Sequence, residues 1–199
     1  RLLGDLVLKR SKTGGETFLP LQVVYNATEH GMGGVWDPTP VYERETGTVF
    51  VFFAISAAGD PLAHRISWAL AASTSGGKTW TLRNVSAQCN PSGHVESCFC
   101  GGHGTQLTNG RLLIPMYNLP GFSTCWSSDR GESWSTKGAV PTSYHPAESE
   151  IAELFPTANT TSTRLVANHR WGGDGVNCTD HVSHCRYFSY SDGEAAPCM

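Results

Sequence analysis

Apolar residues in this chain fall in short runs bounded by Gly, Pro, Ser, Thr and Asn. Val49–Ile55 is wholly apolar, Ile66–Ala72 and Phe122–Trp126 are apolar or β-branched, and Arg111–Tyr117 and Arg164–Trp171 are further strand candidates of comparable length. Runs this short between turn formers read as β-strands. Asp5–Arg10, Ile151–Phe155 and Arg186–Ser189 are further candidates. No window carries apolar residues at spacings of three and four over about a dozen positions, so the pattern predicts an all-β chain without long helices.

A repeat punctuates these strands. Ser127-Ser-Asp129-Arg-Gly131-Glu-Ser133-Trp134 reads S-x-D-x-G-x-[ST]-W, and Ser73-Thr-Ser75-Gly-Gly77-Lys-Thr79-Trp80 is a second copy with Ser in place of Asp. Ser11–Phe18 is a worn copy and Ser189–Ala196 a more degraded one, and successive copies start 62, 54 and 62 residues apart. A short Asp or Ser side chain accepts backbone N–H bonds within a compact turn. Gly supplies the positive φ that a tight hairpin needs. The terminal aromatic ring opens the next strand and packs on its neighbours. Each copy therefore reads as a hairpin turn, and about 60 residues per repeat suits one four-stranded propeller blade with long loops.

Composition agrees. Charged residues make up 16% of the chain, below the roughly 25% of an average soluble domain, and Gly (22) and Pro (11) are abundant. The 14 basic residues are scattered and net charge is −3, so no nucleic-acid partner is expected. No apolar run reaches the roughly 18 residues that cross a bilayer as a helix. Seven cysteines stand beside four N-glycosylation acceptors, at Asn26, Asn84, Asn159 and Asn177. Together they point to an oxidising secretory route, with a secreted, cell-surface or lysosomal destination.

The boxes resemble the Asp-box (BNR) repeats of the sialidases, or neuraminidases, and the segments between them strengthen the likeness. The run from Trp36-Asp-Pro-Thr-Pro-Val to Phe50 is similar to the family's "N-P-[AT]-P-V" followed by an acidic turn and an apolar strand. Gly101–Tyr117 is similar to "G-x-G-x-x-L-x-x-G-R-L-x-x-P-x-Y", Glu148–Leu154 to "E-x-x-[VI]-x-E-L" and Arg164–Arg170 to a strand ending "N-x-R". The resemblance implies a six-bladed sialidase-type β-propeller, with about three to four blades in residues 1–199 as a single domain incomplete at both ends. It also implies release of terminal α-linked sialic acid from glycoproteins and glycolipids, with no cofactor and no metal.

Residue by residue, Arg170 matches the second of three family arginines that hold the sialate carboxylate. Guanidinium suits that task through paired, charge-assisted hydrogen bonds. Family members use a Tyr nucleophile. A phenol with pKa near 10 needs a neighbouring carboxylate as general base, and Glu148 matches it. From the residues alone Glu150 and Glu153 are rivals, Glu153 corresponding to a non-catalytic family Glu. Tyr117 reads either as a pocket-lining aromatic or as a core tyrosine, and Asp60 as a loop acid within reach of polar substrate groups. The remaining family residues, two further arginines, the acid/base Asp and the nucleophilic Tyr, are expected outside residues 1–199, so these residues alone are expected to be inactive. His94, Cys98, Cys100 and His103 form a zinc-like cluster whose Cys-x-Cys spacing is too tight, and disulfides are expected there instead. A sialidase-like lectin or adhesin, a trans-sialidase and, less well matched, a peptide-binding Asp-box receptor remain the alternatives.

Overall fold

The computed structural model describes residues 4–60, 64–95, 97–118, 121–141, 146–154, 164–171 and 186–191. Among them the chain forms strands β1 (Leu6–Leu8), β2 (Gln22–Tyr25), β3 (Gly34–Glu43), β4 (Thr48–Ser56), β5 (Arg65–Ser73) and β6 (Thr81–Asn84). A one-turn helix α1 (Ser86–Cys89) follows, then β7 (Cys98–Phe99), β8 (Thr105–Gln106), β9 (Leu112–Asn118), β10 (Gly121–Ser127), β11 (Ser135–Pro141), β12 (Pro146–Leu154), β13 (Arg164–Trp171) and β14 (Arg186–Ser191). Every strand expected from the apolar runs is present. Asn159, Asn177, Cys178, Cys185, Cys198 and all but the first three residues of the last repeat copy lie outside the described residues.

The strands form four antiparallel sheets in chain order: β1-β2, then β3-β4-β5-β6, then β7-β9-β10-β11 with β8 also on β9, then β12-β13-β14. Such sequential meanders are the blades of a propeller. Successive sheets bury apolar clusters between them. Phe53, Ile55 and Ala71 pack with Leu6 and Tyr25 between the first and second sheets. Phe52, Leu70, Phe99, Ile114 and Met116 join the second to the third. Phe122, Leu113, Ile151 and Ala167 join the third to the fourth.

The three described repeat copies fold alike. Ser127 Oγ accepts the Gly131 N–H (2.8 Å) and Asp129 Oδ1 accepts the Ser133 N–H (3.0 Å). Ser73 and Ser75 take the same partners, Gly77 N–H (2.9 Å) and Thr79 N–H (2.9 Å), as do Ser11 and Thr13 with Gly15 N–H and Thr17 N–H. In the two better copies the Trp80 and Trp134 indole N–H groups donate to Gly77 O and Gly131 O. Gly131 has φ of 88°, and a Cβ there would lie 2.3 Å from Phe50 Cζ of the preceding sheet. The box thus closes a hairpin and packs it on its neighbour in one step.

A carboxylate latches β3 to β8. The fully buried Glu43, at the end of β3, accepts Thr46 N–H, Glu45 N–H and the Gln106 side-chain amide from β8. Burial alone raises its pKa, but these hydrogen bonds and the Thr46 hydroxyl outweigh it and bring it to about 2. The folded value lies below the ordinary carboxylate value of roughly 4.3. Its stabilisation is therefore complete above that value and is lost as pH falls towards about 2. Glu43→Gln is expected to melt below wild type at pH 7, with the gap closing as the pH falls through this window. A gap that stays constant down to pH 2 would contradict the latch.

Candidate functional site

The fourth sheet presents an ion pair. On β12 and β13 the pairs Pro146↔Trp171 and Ser149↔His169 flank a register shift. One extra residue on β12 makes this a bulge, which re-aims a side chain. There the Arg170 Nη1 donates to Glu148 Oε1 at 2.6 Å and to Oε2 at 2.5 Å. Both side chains are about half exposed, 55% and 48%, so the pair faces solvent rather than a core.

Geometry separates the three rival acids. Glu150 pairs with His103 Nδ1 at 3.0 Å and fills the space that a Cβ on Gly102 would need. Glu153 accepts the Thr108 N–H (2.8 Å) and hydroxyl (2.8 Å), tying β12 to the third sheet. Of the three, Glu148 is the one set against a guanidinium.

A second polar cluster joins the second and third sheets. Tyr117 O–H on β9 donates to Asp37 Oδ2 (3.3 Å) on β3, and Arg65 Nη2 on β5 approaches the same hydroxyl at 3.5 Å. The Arg65 guanidinium lies 4.7 Å from the centroid of the Trp36 ring, a cation–π arrangement. Asp37 has φ of 47° at a register shift between Trp36 and Thr39. The adjoining Pro38 and Pro40 are tolerated in a strand at such irregularities. Burial foremost, with the nearby Cys98 and Asp37, pushes the Tyr117 phenol well above its usual range. Tyr117 is thus held as the protonated phenol that donates to Asp37. Asp60 is bound within its own loop, its Oδ2 accepting the His64 N–H and pairing with His64 Nδ1 at 2.7 Å.

Residues 98–103 link the two clusters. Burial first, then the Asp37 charge and a hydrogen bond to Asp37, raise the Cys98 thiol. Gly101 N–H donates to Thr39 Oγ1, and the Cys100 thiol feels both Asp37 and Glu148 while bonding Ser149. The disulfides expected at Cys98 and Cys100 are not formed. Both stay thiols: Cys98 packs into the core between the second and third sheets and Cys100 into the next core. Cys89 instead bridges Cys125. No group of three or more potential metal ligands occurs among the described residues.

Sequence reasoning missed Asp37 and Arg65 as neighbours of Tyr117, and Trp36 as the ring against Arg65. The Asp-Pro-Thr-Pro run hides Asp37 among residues that punctuate strands, and Arg65 carries no motif. Of the glycosylation acceptors, Asn84 is exposed and Asn26 half-buried, each with its side chain in a local turn hydrogen bond.

No protein-family profile matches the chain. The sialidase of Micromonospora viridifaciens is 33% identical over 157 residues, which are 68% of this chain and 24% of that protein. A Bacteroides fragilis sialidase is 27% identical over 175 residues, 76% of this chain and 32% of that protein. The chain belongs to the sialidase family. It spans about a quarter to a third of the length of these curated relatives. Among solved structures, the Hadza microbial sialidase Hz136 superposes with a TM-score of 0.75 over 94% of this sialidase-family chain and 38% of its own, at 21% identity. That likeness is one of fold, and it identifies the four sheets as blades of a sialidase β-propeller.

Proposed function

We propose that the protein carrying these residues is an exo-α-sialidase, a glycosidase that releases terminal sialic acid from glycoproteins and glycolipids. The observation that carries the reading is the half-exposed contact between Arg170 and Glu148 at a strand bulge, in a chain of the sialidase family. Sialic acid bears a carboxylate on its anomeric carbon, and Arg170 offers it a planar, charged donor. Glu148 then takes the proton of a tyrosine nucleophile supplied outside residues 1–199. Tyr117 and Asp37 supply a hydroxyl and a carboxylate suited to the sugar's polar groups. Asp60 is assigned no part, because its own loop engages it.

The setting we infer is the secretory pathway. The Cys89–Cys125 bridge and the exposed acceptor at Asn84 support it. No helix among the described residues is long and apolar enough to cross a membrane.

A fluorogenic sialoside assay on the full-length protein tests the reading. Arg170→Lys keeps the charge but loses the planar fork, a loss of about 2 kcal/mol for a charge-assisted hydrogen bond. The expected result is a roughly 30-fold lower kcat/KM, mostly through KM. Sialoside binding without turnover in the wild type would favour a lectin, and transfer to an added glycan acceptor would favour a trans-sialidase. An Arg170→Lys variant with wild-type kinetics would refute the site.

A further inference from the structure

We propose that His169 is a positioning residue, holding Arg170 and Glu148 in register from the opposite face of the fourth sheet; this rests on the sialidase reading above. His169 and Ser149 form the last regular pair of β12 and β13 before the bulge. Arg170 directly follows one member of that pair and Glu148 directly precedes the other. Alternation therefore turns the ion pair one way and His169 and Ser149 the other. Both are buried, at 5% and 2% exposure.

A hydrogen-bonded row runs across all three strands beneath the ion pair. His169 Nδ1 lies 2.9 Å from Ser149 Oγ, and His169 Nε2 lies 2.6 Å from Ser189 Oγ on β14. Ser149 continues the row into the third sheet, bonding the Cys100 sulfur through its backbone N–H and hydroxyl. One tautomer satisfies every member: Ser189 O–H donates to Nε2, Nδ1–H donates to Ser149 Oγ, and Ser149 O–H donates to sulfur. The Phe122 ring packs in a T-shape on the imidazole, 4.6 Å between centroids. Burial lowers the imidazole pKa to about 4, so the ring stays neutral and can donate and accept at once.

The row sits where the backbone cannot do the work. The register shift interrupts regular β12–β13 pairing between Pro146 and Ser149, at the residue whose carboxylate must be placed. A side-chain bond at the last regular pair replaces the missing ladder and limits sliding of β12 along β13. A fully satisfied buried network of this kind rigidifies what it joins. The sequence offered no hint, since a lone His beside Arg170 carries no spacing of its own.

The test compares wild type, His169→Gln, His169→Leu and Ser189→Ala in the full-length protein, reading kcat and KM separately on a fluorogenic sialoside beside the melting temperature. His169→Leu is expected to fold yet lose at least about tenfold in kcat/KM, because small displacements of reacting groups are costly. His169→Gln, whose amide can donate and accept, is expected to return to within about threefold of wild type. Should the Leu variant not fold, Ser189→Ala carries the test with a loss of about fivefold, the equivalent of one hydrogen bond. Wild-type kcat and KM in a folded His169→Leu, or in Ser189→Ala beside an unfolded Leu variant, would overturn the role. A wild type inert towards sialosides would remove the sialidase reading alone. Positioning would then be decided by the Glu148 carboxyl titration, followed by 13C NMR: a displaced titration in His169→Leu, or in Ser189→Ala if the Leu variant is unfolded, supports it, and an unchanged one overturns it.

Discussion

Glu148→Gln in the full-length protein is expected to lower kcat on a fluorogenic sialoside about a thousandfold, with little change in KM. Proton transfer by a placed side chain contributes roughly 10²- to 10⁴-fold. The substitution keeps the shape of Glu148 and removes its capacity to take a proton. An amide can still accept from the Arg170 Nη1, which now donates to both Glu148 oxygens, so the guanidinium should stay near its place. The loss should therefore fall on the chemical step, since substrate binding rests on Arg170. Steady-state kinetics with a circular-dichroism control for folding give the measurement. If the folded variant turns over as fast as wild type, Glu148 is not the base, and Glu150 becomes the acid to test next.

Removing the Cys89–Cys125 bridge, by replacing both cysteines with alanine, is expected to cost about 4 kcal/mol of stability. The bridge closes a loop of sequence separation 36, and cross-links of that span restrict the unfolded chain by a free energy of this order. It pins α1, which follows the second sheet, onto β10 of the third. Cys89 and Cys125 are fully buried in the core shared by these sheets, so exposed reductant should act only slowly on the folded protein. Thr136 Oγ1 on β11 also donates to Gln88 O, so α1 should keep its place while overall stability falls. Denaturant titration of wild type and double variant measures the difference. Equal midpoints would show that the bridge adds nothing, and would weaken the secretory assignment that leans on it.

The two sides of the site were legible to different degrees. Glu148 and Arg170 were visible because each stands in a stretch resembling a family segment, and a resemblance carries position along with residue type. What the structure added is the partner that each of Glu148, Glu150 and Glu153 meets. All three acids lie within six residues, and their partners, Arg170, His103 and Thr108, tell them apart. Tyr117 was legible as an aromatic at a strand end, but the upward shift of its phenol pKa was not. That follows from burial beside Asp37 and Cys98, which come from other strands. The expected disulfides at Cys98 and Cys100 failed for a related reason. Spacing in sequence does not say into which of two cores a side chain turns.

By itself, the sequence determined the strands, the hairpin boxes and the propeller class. These depend on short-range physics: apolar runs bounded by turn formers, and a Ser, a Gly and an aromatic residue at fixed offsets. Tertiary structure alone decided which acid meets the guanidinium, which cysteines bridge and what lies beneath the ion pair. Those outcomes depend on strand register and sheet-to-sheet packing, where one extra residue at the β12 bulge changes which side chains meet. Such contacts join residues far apart along the chain, and no local pattern encodes the distance between them.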